Sequence, residues 1–430
     1  MFQVASLIAV HILILTQLRF EVWPEMLLMP YLMKNGFELY RDMVVPWTPG
    51  LMWILQGWFW LAGLTVWNLK VLSWLIIILT DTLIYLIAVK RWGKIAGIIS
   101  LTSFLFLQPL FDGNGLWFDL AVVPLLLLAF HFDNPLFLAP AFLIKQSVVW
   151  LFPLFWKQWR RLVLGVAGAT GLSLIWFWSK GLLGDYWFWA YDFTFRLFPR
   201  MPGHLDFGNW RLWALALAPF FIIGAGALLK GKKEWSKFFS PSCPLQWAFW
   251  SVLFVLPRFG LFHFQPAVAF LALEIGSLYK YYKSYKDNRI YILVSLMVIY
   301  LGFSWLRIIQ TQWHKQDRFL EPAVYQTAAK LVLETDQNQP VLLVNGPELV
   351  YVLSGRLPPK PWLTQFPWFL ELPGFQEKLV DKFNQQNLEQ MYRFPYQNEG
   401  EFTPGSYRPK KLLDYINSIQ VMKNFNYLNN

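Results

Sequence analysis

The sequence contains little cysteine, histidine or charge. Its 430 residues include one cysteine, Cys243, so no disulfide can form within the chain and no cysteine-rich metal site can be assembled. None of the five histidines stands at the HxxxH spacing of a metal-ligand pair, and we therefore expect no zinc site. Charged residues make up 15% of the chain, against roughly a quarter in soluble domains, which argues against a soluble protein.

The glycine-rich loops that bind nucleotide phosphates are also missing. Neither GxxxxGKS, GxxxxGKT nor GxGxxG occurs, so we do not expect nucleotide binding. The net charge of +11 is carried by basic clusters in short loops between apolar runs. It therefore indicates membrane topology and contact with anionic lipid head groups, not nucleic acid binding.

What the sequence does contain is hydrophobic residues, at 56%, and aromatic residues, at 19%. Eight runs are long enough to cross a bilayer core of roughly 30 Å. They lie near 3–19, 70–89, 94–110, 117–132, 162–179, 211–229, 261–279 and 290–308, with a shorter run near 244–257. The first run lacks a basic start and a cleavage pattern, so we expect a retained anchor. These features predict a mainly helical, multi-pass integral protein of the cell membrane.

Two further apolar stretches do not fit simple spans. Residues 51–64 are short, and prolines and the pair Lys145 and Gln146 interrupt residues 135–156. The basic clusters lie on one side of the membrane if 51–64 enters and leaves on one face and 135–156 is a broken hairpin. Irregular backbone at membrane depth needs protein or water to form hydrogen bonds with its polar groups. We therefore predict a cavity at the tip of the hairpin.

This topology divides the chain into a transmembrane domain, residues 1–310, and a small extracytoplasmic α/β domain, residues 315–430. The predicted exterior loops are about 20–69, 108–117, 180–210 and 257–262. In the second domain, VLLV indicates a buried strand between two helices, with a turn at Asn345-Gly346.

Charged side chains gather on the predicted exterior face. The shelf, which we define as Phe20 to Gly50, carries Glu21, Glu25, Arg41 and Asp42 among apolar residues. The other exterior candidates are Asp112, Asp119, Lys145, Gln146, Arg196, Arg258 and His263. Ionisable groups at such positions commonly mark functional sites, so we predict a site on this face.

This composition suits transfer of a group from a lipid-linked phosphate. A carboxylate can remove the proton of an acceptor hydroxyl, and Glu21 and Glu25 are competing candidates. Lys145, Arg258 and Arg196 are candidates for holding phosphate, and His263 for binding phosphate or moving a proton. Asp112 and Asp119 are candidates for orienting an acceptor. Their carboxylate oxygens could also bind a divalent cation, although we predict no metal site and no certain cofactor.

Four segments resemble the GT-C membrane glycosyltransferases, in particular the protein O-mannosyltransferase and lipid A aminoarabinose transferase branch. They are the shelf with NGFELYRDMVVPWTPG, the loop DGNGLWFD, the hairpin LAPAFLIKQSVVWLFPLF, and RFGLFHFQPAVAFLAL. The resemblance implies a helix bundle with juxtamembrane helices, a polyprenyl-phosphate sugar donor, and a catalytic acid in the first loop. Spacing to Tyr40-Arg41-Asp42 favours Glu21 for this acid, and the Pro24-Glu25 pair favours Glu25.

The function predicted is therefore transfer of a hexosyl or pentosyl group from a polyprenyl-phosphate donor to a protein, lipid or glycan on the exterior. The catalytic candidates are Glu21, Glu25 and Asp42. A transporter or flippase of a lipid-linked or glycan substrate is the main alternative, because transporters also use broken helices. Inverted repeats and midplane charges, which transporters tend to have, are not evident in the sequence.

Overall fold

The computed structural model describes residues 2–201, 205–228, 242–285, 288–344, 346–362, 372–386, 390–393, 410–418 and 422–424. The described chain is mainly helical, and a three-stranded sheet lies near its C-terminal end. This confirms the predicted class, a helical membrane protein with a small α/β unit.

The helices of the membrane part follow the apolar runs of the sequence. They are α1 (Phe2–Gln17), α2 (Pro24–Lys34), α3 (Gly50–Ala62), α4 (Val66–Trp92), α5 (Lys94–Leu107), α6 (Phe118–Phe132), α7 (Leu138–Ile144), α8 (Trp159–Ser179), α9 (Leu183–Trp187), α10 (Trp210–Leu228), α11 (Pro244–Val252), α12 (Gln265–Tyr285) and α13 (Arg289–Gln312). Six helical segments of the described chain are long and apolar enough to cross a membrane.

The predicted break at Lys145 is present. Helix α7 ends at Ile144, Lys145 is extended with φ −148° and ψ 124°, and 3-10 turns follow from Gln146 to Gln158 with a kink at Phe155. The buried Gln146 fixes this break, because its Nε2 donates to the carbonyl oxygens of Pro46 and Ala190, each at 3.0 Å. One amide thus joins the hairpin to the shelf and to residues 188–197.

The short apolar stretch 51–64 forms α3, whose exposed side includes Trp60 and Leu61. This helix starts directly against the hairpin. A Cβ atom on Gly50 would lie 2.5 Å from the carbonyl oxygen of Leu143, so a larger residue would push the two backbones apart. Thr48 adds a hydrogen bond of 3.0 Å to the carbonyl oxygen of Phe142.

The segment predicted as an exterior loop, 180–210, is helical over much of its length. After α9, a π-helix runs from Phe188 to Leu197 and a 3-10 turn from Phe198 to Arg200. No proline or glycine interrupts residues 185–198, and the segment buries Trp189 and Phe193 against the rest of the chain. Some aromatic residues of this predicted exterior loop therefore belong to the protein core.

The C-terminal unit is built from α and β elements in alternation. Its described elements are α14 (Pro322–Glu334), β1 (Val341–Val344), α15 (Leu349–Ser354), α16 (Phe375–Gln385), β2 (Gln390–Arg393), α17 (Lys410–Ser418) and β3 (Met422–Asn424). The strands are parallel in the order β1-β2-β3. The predicted VLLV strand and its flanking helices are confirmed, and the turn at Asn345 lies outside the described residues.

The C-terminal unit contacts the shelf directly. Lys360 Nζ lies 3.2 Å from Asp42 Oδ2, and the Trp362 amide donates to the Asp42 carbonyl at 2.8 Å. Tyr31 on α2 donates its hydroxyl to the Arg356 carbonyl at 3.1 Å. The shelf is thus held on one side by the helix bundle and on another by the C-terminal unit.

Candidate functional site

Three side chains from distant parts of the sequence meet at the hairpin break. We name Asp119, Lys145 and His263 the lysine centre. Lys145 Nζ lies 2.5 Å from both carboxylate oxygens of Asp119, and His263 Nδ1 lies 2.8 Å from Asp119 Oδ2. Lys145 Nζ and His263 Nδ1 are 3.0 Å apart. The sequence analysis had selected all three residues, and the structure brings them together.

Each member of the lysine centre comes from a different kind of local structure. Asp119 lies in the first turn of α6, Lys145 lies at the end of α7, and His263 lies in a 3-10 turn before α12. Asp119 is fully buried, and the side chain of His263 keeps 16% of its exposure. The centre therefore opens to its surroundings mainly at the histidine.

The contacts of the lysine centre allow His263 Nδ1 either to donate to Asp119 or to accept from Lys145. A His263 Nδ1–H that donates to Asp119 leaves Nε2 free to accept, or to donate in the imidazolium form. Lys145 has three N–H donors, of which the Asp119 carboxylate accepts at most two. The remaining donors can bind a further anion, because a positive ammonium forms strong hydrogen bonds with phosphate oxygens.

Aromatic side chains form a wall beside the lysine centre. The ring of Trp23 from the shelf lies 5.0 Å from the ring of Trp117 and 5.0 Å from the ring of Phe262, measured between centroids. The rings of Trp117 and Phe262 are 5.5 Å apart. Trp47 stacks on Phe118 at 4.7 Å. Phe118 and Phe262 directly precede Asp119 and His263 in the chain, and the Phe262 ring lies 4.2 Å from the His263 ring, so the wall lies next to the charged groups. An apolar surface beside a phosphate-binding group suits a lipid-linked substrate.

Glu21 has two arginine partners. We name Arg19, Glu21 and Arg318 the arginine clamp. Arg19 Nε and Nη2 donate to Glu21 Oε1 at 3.1 and 2.9 Å, and Arg318 Nη1 donates to Oε2 at 3.3 Å. The Glu21 side chain is 3% exposed. Both of its oxygens are engaged, which suits a carboxylate that orients other groups better than one that accepts a substrate proton.

Glu25 has a different environment from Glu21. It lies in the first turn of α2, is 4% exposed, and its Oε2 has no hydrogen-bond partner among the described residues. Burial raises the pKa of Glu25 from its ordinary 4.5 to about 7, with a backbone hydrogen bond opposing the rise. A carboxyl group with this pKa can gain and lose a proton near neutral pH, as a general base must.

Asp42 and Arg41 lie in contacts that hold the shelf to other parts of the chain. Asp42 Oδ2 accepts from the Glu38 amide at 2.9 Å as well as from Lys360. The Arg41 side chain is 53% exposed. Burial raises the pKa of Asp185, and the charges of Lys378 and Arg41 oppose this rise. Nothing in these contacts brings Asp42 to the lysine centre.

Three other predicted residues also lie in local contacts. Arg196 forms a bidentate, exposed pair with Asp192, one helical turn away. Arg258 lies 3.5 Å from Asp206 through Nη2. Asp112 has a left-handed backbone, with φ 48°, at the end of a 3-10 turn. These contacts do not join the three residues to the lysine centre.

Two important residues were missed by the sequence analysis. Asn114 Nδ2 donates to three carbonyl oxygens around the end of α1, those of Leu15, Leu18 and Arg19. Arg318 reaches Glu21 across 297 residues of sequence. The only signal for Asn114 was its place between two glycines in DGNGLWFD, and no local pattern pointed to Arg318.

Within the described ranges, no group of three or more His, Cys, Asp or Glu side chains is arranged to hold a metal ion. Asp119, one of the two acids considered for a divalent cation, has Lys145 and His263 as partners.

The whole chain was compared with known proteins. No protein-family model matches it, and neither does any curated protein sequence. Two solved structures of ArnT from Cupriavidus metallidurans do match. The structure bound to undecaprenyl phosphate has a TM-score of 0.53 and 14% identity, covering 83% of this chain and 85% of ArnT. The apo structure has a TM-score of 0.54 and 15% identity, with coverage of 83% and 84%. The chain therefore has the fold of the GT-C membrane glycosyltransferases, as the sequence resemblance predicted.

Proposed function

We propose that this protein is an integral-membrane glycosyltransferase that moves a sugar from a polyprenyl-phosphate donor to an extracytoplasmic acceptor. The observation that carries the proposal is the lysine centre, a buried cationic group at the break of the hairpin beside an aromatic wall. The fold it shares with ArnT, which was solved with undecaprenyl phosphate, supports a lipid-linked donor.

In this mechanism the lysine centre holds the phosphate of the donor. Lys145 and His263 point donors toward it, while Asp119 keeps both side chains in position. As the bond between the sugar and the phosphate oxygen breaks, the electron pair moves to that oxygen. The positive charge of Lys145 then stabilises the departing polyprenyl phosphate, because charge that develops in the transition state is where fixed donors act most strongly.

The acceptor side of the reaction needs a base. An acceptor hydroxyl gives its proton to a carboxylate while its oxygen forms the new bond to the sugar carbon. We assign this role to Glu25, because it has a free oxygen and a pKa of about 7, whereas both oxygens of Glu21 are engaged by arginines. The transferred group is a hexose or a pentose, and the acceptor is a protein, a lipid or a glycan.

The proposal also includes the division of the chain. Residues 1–310 form the transmembrane catalytic domain, and residues 315–430 form an extracytoplasmic domain that holds the shelf through Asp42 and Tyr31. Gln146 supports the site by joining the hairpin to the shelf and to the segment around 190. Arg41, Arg196 and Arg258 are assigned to substrate binding from the exterior segments around the site.

The test is turnover by the purified protein in lipid with a panel of polyprenyl-phosphate sugars. Release of polyprenyl phosphate is followed for the wild type, for Lys145→Gln, and for Lys157→Gln as a matched control on the far end of the hairpin. The proposal predicts release that is lost in Lys145→Gln and retained in the control. Movement of an intact lipid-linked sugar across the membrane, with no release, would instead establish a flippase.

A further inference from the structure

The arginine clamp belongs to a contact between the first loop and the segment that follows the last membrane helix. The Arg19 amide donates to the Gln312 carbonyl at 2.9 Å, and the Arg318 amide donates to the Phe20 carbonyl at 3.0 Å. The side chains of both arginines then converge on Glu21. Two separate parts of the chain thus place their guanidinium groups around one carboxylate.

The charges of the clamp do not cancel. Two guanidinium groups share one carboxylate, which leaves a net charge of about +1 when Arg is fully protonated. The side chains of Arg19 and Arg318 are 29% and 37% exposed, whereas that of Glu21 is 3% exposed. A guanidinium has five N–H donors, and the bonds to Glu21 use two on Arg19 and one on Arg318. Among the described residues, both partly exposed arginines therefore keep N–H donors that Glu21 does not use.

The backbone and the rings around Arg318 fix its orientation. Its guanidinium lies over the rings of Phe319 and Trp23, at 4.9 and 5.9 Å from their centroids. Phe319 has φ 67°, a left-handed conformation that is unfavourable for a residue other than glycine. Such strain is commonly found where a side chain must be held for function.

A second polar group lies beside Arg318. Trp23 is 5% exposed, and its indole N–H finds no acceptor among the described residues. A buried donor without an acceptor is unfavourable. An anion bound to the neighbouring guanidinium is an acceptor of the kind that this group lacks.

We propose that Arg19 and Arg318 form a second phosphate-binding site, separate from the lysine centre, with Glu21 as the residue that positions both arginines. Within the proposed function, the site takes a phosphate group of a substrate. Arginine is suited to this, because its planar fork binds two phosphate oxygens at once. Because the lysine centre holds the single phosphate of the donor in the proposed function, the phosphate bound here belongs to an anionic acceptor.

The test is calorimetric titration of the full chain in lipid discs with inorganic phosphate. It is made in the Lys145→Gln background, so that the Lys145 ammonium contributes nothing to phosphate binding. We expect saturable binding that Arg318→Gln weakens about tenfold or more, as loss of a charged hydrogen bond implies. Arg318→Lys, which keeps the charge and loses the fork, is expected to give an intermediate affinity.

The control is Lys70→Gln. Lys70 pairs with Asp317 at 2.7 Å and so holds the same segment without contacting Glu21. Unchanged phosphate affinity in Arg318→Gln, or equal weakening by Lys70→Gln, would overturn the proposal. Melting temperatures of all variants establish that each is folded.

A final titration identifies the source of the phosphate. It uses the protein with intact Lys145, saturated with polyprenyl phosphate. Inorganic phosphate should still bind in an Arg318-dependent way, since the lipid phosphate occupies the lysine centre. Displacement by polyprenyl phosphate would overturn a second, separate site. Because the titrations need no turnover, they remain interpretable if every sugar donor fails in the turnover assay.

Discussion

Lys145 Nζ lies 2.5 Å from each carboxylate oxygen of Asp119, a fully buried residue 26 positions earlier in the chain. In an ion pair with so little exposure, each charge is stabilised mainly by the other. Removing one partner leaves a buried charge, which typically costs 3 to 5 kcal/mol, while removing both is often close to neutral. The pair therefore gives a test that separates stability from chemistry.

We predict that Lys145→Gln lowers both the melting temperature and the rate of polyprenyl phosphate release. Adding Asp119→Asn to this variant removes the unpaired buried charge, so the melting temperature should recover by several degrees. The rate should stay about a hundredfold or more below that of the wild type, because the phosphate still lacks its ammonium partner. Recovery of the rate together with stability would show that Lys145 is structural.

The buried Glu25 predicts a pH dependence of activity. With a pKa of about 7, it is mostly protonated at pH 6 and mostly ionised at pH 8. As a base it must be ionised, so the rate should rise with pH through about 7. Glu25→Gln should lower the rate by about 10² to 10⁴ and abolish this rise. An unaltered pH profile in Glu25→Gln, with the rise lost in Glu21→Gln, would transfer the role to Glu21.

The same group predicts a pH dependence of stability. The folded-state pKa of Glu25 is raised above the ordinary 4.5. Its contribution to the free energy of unfolding is therefore most favourable below pH 4.5 and is lost as pH rises through about 7. The full loss is about 3 kcal/mol. Glu25→Gln, which stays neutral, should unfold at a higher temperature than the wild type at pH 8 and at a similar temperature at pH 4.5. No difference between the two pH values would contradict this environment for Glu25.

The contact between Asp42 and Lys360 predicts coupling between the shelf and the C-terminal unit. Asp42→Asn and Lys360→Met should each lower the melting temperature, and their effects should be less than additive in the double variant. The coupling should be about 1 kcal/mol or less, since the Lys360 side chain is 44% exposed. A rate loss of a hundredfold or more in Asp42→Asn, at unchanged stability, would instead support a catalytic Asp42.

The proposed topology predicts which residues are accessible from each side of the membrane. With Cys243 replaced by serine, single cysteines at Lys94 and Lys330 report on the start of α5 and on α14. A membrane-impermeant thiol reagent applied to intact cells should label position 330, and position 94 only after the membrane is opened. Labelling of both positions from the same side would contradict an extracytoplasmic C-terminal unit.

Much of the fold was predictable from sequence, because the bilayer imposes strong rules on composition. Apolar runs predicted the main helices, and Lys145 with the nearby prolines predicted the broken hairpin. The segment after Leu183 was not predicted as helical, because aromatic residues suit both a membrane interface and a protein core. The burial of Trp189 and Phe193 distinguishes a protein core from a membrane interface. This burial depends on contacts with the shelf and the hairpin, which are distant in sequence.

The candidate site was predictable as a set of residues but not as an arrangement. Asp119, Lys145 and His263 were each selected on residue type and position, and sequence gave no reason to expect all three within 3.0 Å. The distinction between Glu21 and Glu25 also depends on tertiary contacts. Arg318, which engages Glu21, lies 297 positions away, where no local pattern connects the two.

The central claim is that Lys145 holds the phosphate of a lipid carrier, and ligand-induced stabilisation tests it most directly. The melting temperature is measured with polyprenyl phosphate and with the matching polyprenol, which shares the lipid chain and lacks the phosphate. At a hundred times its Kd, a ligand stabilises by about 2.7 kcal/mol. The account predicts an increase with polyprenyl phosphate alone, in the wild type and Lys157→Gln but not in Lys145→Gln. Equal stabilisation by both lipids, or an undiminished effect in Lys145→Gln, would contradict it.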